Sequence, residues 1–284
     1  MLEAVGSLRE RVVAYYQTIA PVIANSFADT PLVYAAFPNG FTHPPTWHGP
    51  LAHDFKDQQT ITVKLKSGTY HYRALTADVL VELAAHPKGA IEFHGWGCTP
   101  NAPDRVRFAH ILLEHDAPPA ELVEGRPSSS RPKRTLVDAA ALIREQLHES
   151  NIKAIPILAG RSEIAICIPL DDGPTYPDVR EWLHSICNEA VRRHPDVFTT
   201  EPNTHRDNRV HLHVSSNAPG RYSALPYSLR GTPDLLVCTP ITWDELRTIR
   251  RFITANTIAE RLKHVGDVFA SQVQEIAKQR LPQD

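Results

Sequence analysis

Two short patterns set proton- and metal-active side chains within reach of one another along a single strand. His211-Leu212-His213 places imidazoles at i and i+2, which an extended strand turns to the same face. Two imidazoles need a third donor before they hold a divalent ion, and a polar strand face is the competing reading, so the pattern alone assigns no metal ligand. Glu114-His115-Asp116 likewise sets two carboxylates on one face if the strand persists that far; the competing reading is a solvated strand end before Pro118-Pro119. Phosphate chemistry has its own candidates. Between Arg192 and Arg251 every lysine-or-arginine position is arginine, including Arg206 and Arg230, and a planar guanidinium fork matches phosphate oxygens better than a lysine point charge does. Asp196, Glu201, Asp207, Asp234, Asp244 and Glu245 lie among them as alternative salt-bridge partners. Around Ser128-Ser129-Ser130, Arg126, Arg131, Lys133 and Arg134 form a second basic cluster, either an arm that touches nucleic acid or a soluble loop.

The elements that must position these residues follow from periodicity. Val12, Tyr15, Tyr16, Ile19, Val22 and Ile23 form a helical stripe with Ser7 as N-cap. Leu32 to Phe37 reads as a strand, and the Pro/His-rich stretch from Phe41 to Pro50 as a loop. Ile61, Val63 and Leu65 alternate into a turn at Ser67-Gly68, with Tyr70, Tyr72 and Ala74 on the return, which predicts a hairpin. Thr76 caps a short helix to His86, and strands are expected over Ala90 to His94 and Arg105 to Leu113. Residues 117–134 are rich in Pro, Ser and Arg and read as an exposed loop. Further on, the pattern predicts a helix from Thr135 to His148, strands at Ile152 to Leu158 and Glu163 to Leu170, and a helix from Pro177. Val210 to Ser216 and Leu236 to Cys238 read as strands, Thr242-Trp243-Asp244-Glu245 as a capping box, and Thr254 to Arg280 as one last helix. Strands separated by helices, with a tight hairpin, give an α+β architecture of mixed and antiparallel sheets flanked by helices.

Composition bounds the function. The chain has 284 residues, 42% hydrophobic and 22% charged, enough for a sizeable core in one large domain or two lobes. A formal charge of -2 provides no global basic field, so any polyanion site is local. Cys98, Cys167, Cys187 and Cys238 lie far apart with no C-x-x-C pair, which argues against a zinc knuckle or a disulfide framework and for a reducing cytoplasm. No apolar run reaches membrane-spanning length, and Glu3, Arg9, Glu10 and Arg11 interrupt the N-terminal stretch where a signal peptide needs an apolar core. The common nucleotide, zinc-protease and esterase signatures are absent.

Pro226-Tyr227-Ser228-Leu229-Arg230 and the run from Cys238 to Leu246 resemble the polymerase domain of bacterial DNA ligase D, of the archaeo-eukaryotic primase-polymerase group used in non-homologous end joining. The resemblance extends through Asn217, Arg206, Ile168-Pro169-Leu170, Pro103-Asp104-Arg105, Glu92-Phe93-His94-Gly95-Trp96, Phe37-Pro38-Asn39-Gly40 and Tyr15-Tyr16, in family order over nearly the whole chain. It implies a two-lobed primase-polymerase-like fold, treated as a single domain over 1–284, and a family chemistry in which carboxylates hold two divalent ions for nucleotidyl transfer.

Against that resemblance, the family's metal-binding acids fall on Ala109, Ile111 and His213, and its Ser, Lys and His triphosphate contacts on Ala159, Ser162 and Ala165. The expectation is therefore a pseudo-polymerase of DNA repair that needs no cofactor. Its partial phosphate and nucleotide surface would be Arg206, Asn217 and Arg230. Arg9 falls near a lysine that binds a 5′ phosphate in the family, and Arg131, Lys133 and Arg134 join it as candidate DNA contacts. The chain begins later than family members do, so part of that 5′-phosphate pocket is expected to be missing. One alternative is an active nucleotidyltransferase using Mn²⁺ or Mg²⁺ at a displaced site of Glu114, Asp116 and His213, which requires the strand from Arg105 to reach Glu114. Another is a scaffold with no nucleic-acid role. DNA ends or a nucleotide, with a repair ligase or end-binding protein, are the expected partners, and no membrane.

Overall fold

The computed structural model describes residues 7–51, 60–87, 89–115, 136–171, 173–201, 208–276 and 278–282. The expected loop 117–134 lies outside them, as do Asp116, Arg131, Lys133, Arg134 and Arg206. The chain divides into two compact units, each assembled from three segments.

The first unit comprises Met1–Pro103, Tyr222–Cys238 and Ile253–Asp267. It opens with α1 (Leu8–Phe27), whose start is fixed by a capping box: Ser7 Oγ accepts the Glu10 N–H, and the Glu10 carboxylate accepts the Ser7 N–H. The stripe Val12, Tyr15, Tyr16, Ile19 and Ile23 is buried, as its spacing requires. Strands β1 (Leu32–Ala36), β2 (Thr46–His48), β3 (Thr60–Leu65) and β4 (Gly68–Arg73) follow, then α2 (Ala77–Ala85) and β5 (Ala90–Gly95). After β6 (Cys98–Thr99), β7 (Ala102–Val106) leads out of this segment. The stretch expected to be all loop after Phe41 thus contains a strand, because Tyr34, Ala35 and Ala36 of β1 offer an open edge that His48, Trp47 and Thr46 cover. The hairpin pairs Ile61 with Tyr72 and Val63 with Tyr70, as the alternation predicts.

The second unit comprises Asp104–Arg221, Thr239–Phe252 and Val268–Asp284. The single strand expected over Arg105 to Leu113 is two, β7 and then β8 (Phe108–Glu114). Arg107 separates them, its carbonyl accepting the Leu170 N–H. Next come α3 (Leu136–Glu149), β9 (Ile155–Gly160), β10 (Glu163–Pro169), α4 (Tyr176–Arg193), β11 (Phe198–Thr199) and β12 (Val210–His213). The short β13 (Ser223–Ala224) belongs to the first unit, where the sheet order is β13-β5-β1-β2. With β14 (Thr239–Pro240), the second unit forms a six-stranded sheet in the order β11-β12-β8-β10-β9-β14. Its apolar face, with Ile111, Leu113, Ile164, Ile166 and Leu212, forms one core with Ala139, Ile143, Val179, Leu183 and Ile186 of α3 and α4.

The chain then forms α5 (Trp243–Thr248), α6 (Ile258–Val265) and α7 (Val268–Glu275). The last helix, expected to be continuous from Thr254 to Arg280, breaks at Gly266, whose φ of 70° is the left-handed conformation that glycine adopts without strain. Among the described residues no helix is long and apolar enough to cross a membrane.

Candidate functional site

Strand β8 decides which residues can do chemistry in the second unit, because its alternation sorts side chains between two faces. Ala109, Ile111 and Leu113 are fully buried in the core that includes α3 and α4. His110, Leu112 and Glu114 face the other way. Strand β12 pairs antiparallel with β8, matching His211 to Glu114 and His213 to Leu112. That register brings both imidazoles to the Glu114 side. Glu114 Oε1 lies 3.2 Å from His213 Nε2, and Glu114 Oε2 lies 3.7 Å from His211 Nδ1. The His213 Nδ1 atom faces Ser215 Oγ at 3.0 Å.

Further along β8, Asn217 stands where β12 has ended. Its Oδ1 accepts the His110 N–H at 2.8 Å, while its Nδ2 donates to the carbonyls of His110 at 2.7 Å and Val214 at 2.9 Å. The amide therefore completes the backbone pairing of β8, and the residue is 2% exposed. His110 itself is buried, and burial holds its imidazole down at about 4, so it is neutral at physiological pH.

In the first unit Arg230 belongs to a different cluster. Glu92, on the fully buried β5, takes the His94 Nε2–H on Oε2 at 2.8 Å and the Gly231 N–H on Oε1 at 2.6 Å, with Arg230 Nε 3.9 Å away. Burial pushes the Glu92 carboxyl up, but the His94 hydrogen bond, the Arg230 charge and the Gly231 N–H outweigh it and hold it at about 2. Burial lowers the pKa of His94, so the pair is a carboxylate with a neutral imidazole. Trp47 and Tyr222 flank the His94 ring at centroid distances of 4.8 and 5.7 Å. The sequence signal for this cluster is Glu92-Phe93-His94, two polar residues at i and i+2 inside an apolar run; sequence reasoning uses it only as one fragment of the family resemblance and misses the site.

Gly231 is tied to that cluster by sterics as well. A Cβ there would land inside the Phe37 ring, so Gly231→Ala must displace either the ring or the N–H that meets Glu92. It is expected to destabilise the protein by about 2 kcal/mol, as overpacking does. A shift of the urea midpoint measures this, and an unchanged midpoint would mean that the Phe37 contact is loose.

Arg9 lies on exposed α1 surface and donates from Nη2 to the Ala85 carbonyl. Ala159 and Ala165 are buried in β9 and β10, and the Ser162 carbonyl accepts the His115 N–H. The structure thus brings Glu114 and His213 together and adds His211, while Arg230 sits in the other unit.

The sequence profile of the LigD primase-polymerase domain matches residues 9–269. The chain belongs to that family. It is 24% identical over 273 residues to the "Multifunctional non-homologous end joining protein LigD" of Mycolicibacterium smegmatis, covering 94% of this chain and 34% of that protein. It is also 30% identical over 156 residues to the bifunctional non-homologous end joining protein LigD of Bacillus subtilis, covering 53% of this chain and 26% of that one. The chain therefore spans about a third of the length, or less, of these curated relatives. In fold it is similar to the solved "Polymerase Domain from Mycobacterium tuberculosis Ligase D in complex with DNA", with a TM-score of 0.79, 21% identity, and coverage of 94% of this chain and 92% of that one.

The LigD primase-polymerase resemblance implied two hard divalent ions, which demand several oxygen ligands each. Among the described residues the donors gathered by β8 and β12 are one carboxylate and two imidazoles. Ala109 and Ile111 carry no oxygen donor and lie in the core. This donor set does not fit a pair of magnesium ions.

Proposed function

We propose that this domain handles DNA ends in non-homologous end joining, with impaired two-ion nucleotide transfer and with Arg206 and Arg230 as candidate phosphate contacts, one in each unit. The observation that carries the impairment is the burial of Ala109 and Ile111 in the apolar core, where the resemblance places metal carboxylates. Support for a DNA ligand comes from a fold neighbour solved with DNA. Arg9, Arg131, Lys133 and Arg134 are further candidate contacts, and a repair ligase or end-binding protein is the partner to seek. All four cysteines are buried thiols, in keeping with a reducing cytoplasm.

The test is end binding and primer extension on one preparation, using a gapped duplex with a 5′ phosphate. The expected result is no Mg²⁺-dependent extension and a binding affinity that falls with salt, because phosphate contacts release counterions. Arg206→Ala and Arg230→Ala should each weaken binding roughly 5-fold and lower the salt slope by about one contact. Efficient extension in Mg²⁺ overturns the impairment; unchanged affinity in both variants overturns the assigned phosphate contacts. Absence of both activities favours the scaffold reading.

A second reading has a specific observation behind it. Strand β8 does reach Glu114, 3.2 Å from His213, as nucleotide transfer at the displaced site of Glu114, Asp116 and His213 requires. Extension in Mn²⁺ that disappears in Glu114→Ala would establish it, whereas extension that survives this change would remove it.

A further inference from the structure

The three donors on β8 and β12 have the chemistry of a different metal from the one the family resemblance implies. We propose that Glu114, His211 and His213 form a site for a single zinc-class divalent ion, with a fourth position open to water or an anionic oxygen. The assignment stands on donor geometry and holds whether or not the domain transfers nucleotides.

Three observations support it. First, one ligating atom from each residue can be chosen so that all lie within 4.8 Å of one another. Donors about 2.1 Å from a tetrahedral zinc ion sit roughly 3.4 Å apart. Each imidazole already lies near that spacing from one oxygen of the carboxylate, at 3.2 Å from Glu114 Oε1 to His213 Nε2 and 3.7 Å from Glu114 Oε2 to His211 Nδ1.

Second, the donor types select the metal. Imidazole nitrogen suits zinc and its transition-metal neighbours, whereas magnesium prefers carboxylate, carbonyl and water oxygens. Two imidazoles and one glutamate with an open position is a donor set that zinc uses in catalytic sites. The side chains of Glu114, His211 and His213 are 33%, 12% and 25% exposed, so the ligands are held by the sheet yet reachable from solvent.

Third, the surroundings favour a bound cation. Metal-ligating histidines commonly donate the other ring N–H to a fixed acceptor, which sets the tautomer. Ser215 Oγ lies 3.0 Å from His213 Nδ1, placed to accept that proton and leave the Nε2 lone pair for the ion. The competing account is that Glu114 simply hydrogen-bonds the histidines with no ion between them.

The experiment is zinc titration of chelator-stripped protein by calorimetry, with magnesium titrated in parallel and with cobalt(II) as a spectroscopic substitute. One equivalent of zinc is expected to bind at least 100-fold more tightly than magnesium, and cobalt is expected to give the intense visible bands of a low-coordinate site. His211→Ala, His213→Ala and Glu114→Gln should each weaken zinc binding roughly 100-fold or more, and Ser215→Ala roughly 10-fold. The exposed His184, changed to alanine, should leave it unchanged. Circular dichroism checks that each variant folds. Should a variant misfold, anomalous diffraction at the zinc edge on soaked wild-type crystals tests the same site, with a peak expected between the three side chains. Zinc affinity no better than magnesium affinity, a full equivalent retained in the His211→Ala/His213→Ala protein, or an anomalous peak elsewhere would overturn the site and leave only the hydrogen-bonded cluster. None of these readouts depends on DNA binding or extension, so loss of the polymerase-like reading would leave the result interpretable.

Discussion

Asn217→Ala is expected to destabilise the protein by about 4 kcal/mol, a large part of the total stability of an ordinary domain. The side chain makes three hydrogen bonds to backbone, two of them to the N–H and C=O of buried His110. Truncation leaves both His110 groups facing an apolar void, and each stranded buried polar group costs about 1–3 kcal/mol. The Val214 carbonyl is less affected, since it still accepts the Asn217 backbone N–H. Asn217→Asp should be nearly as damaging: it keeps the acceptor for the His110 N–H but turns a carboxylate oxygen toward two carbonyls. Urea unfolding of both variants measures the effect, and a loss below 1 kcal/mol would show that the strand closes without the clamp. The same variants separate two roles for Asn217. If stability falls, any loss of nucleotide or DNA binding follows from a displaced β8. If stability holds while binding is lost, Asn217 contacts phosphate directly, as its family position suggests.

Much of this architecture is legible in the sequence because it rests on local rules. The N-cap at Ser7, the stripe of α1 and the 61–72 hairpin each follow from neighbours in sequence. The H-x-H on β12 can be read as two imidazoles on one face, but its third donor lies 99 residues from His213. No periodicity gives that register. It is set by the pairing of β12 with β8 and extended by the Asn217 clamp. The resemblance directs attention to Ala109 and Ile111, whereas the solvent-accessible carboxylate of the same strand is Glu114, on the opposite face. Burial of Glu92 is equally hidden, because a carboxylate in a buried strand is tolerated only when partners converge on it, and beside His94 on the same strand the Gly231 N–H arrives from 139 residues away.

His110 gives the second large effect, through pH. Its imidazole is held at about 4 by burial, against an ordinary value of 6.5 in the unfolded chain. Between these values the unfolded state binds a proton that the folded state refuses, so stability is fully present above pH 6.5 and is lost as pH falls toward 4. The gap corresponds to about 3 kcal/mol at 1.36 kcal/mol per unit. Buried His94 shifts in the same direction, so the acid sensitivity of the wild type alone does not isolate His110. The difference between wild type and His110→Leu does, since contributions from His94 and from the carboxylates are common to both. Wild type should lose about 3 kcal/mol relative to the variant between pH 7 and pH 4, read from urea midpoints across that range. Parallel pH profiles would mean that the ring is protonated in the folded state and that water reaches it. The expected outcome instead means that the His110 ring is neutral and kept from water in the folded state. In that case the His110 ring that shares the Glu114 face of β8 stays uncharged while pH stays above 6.5.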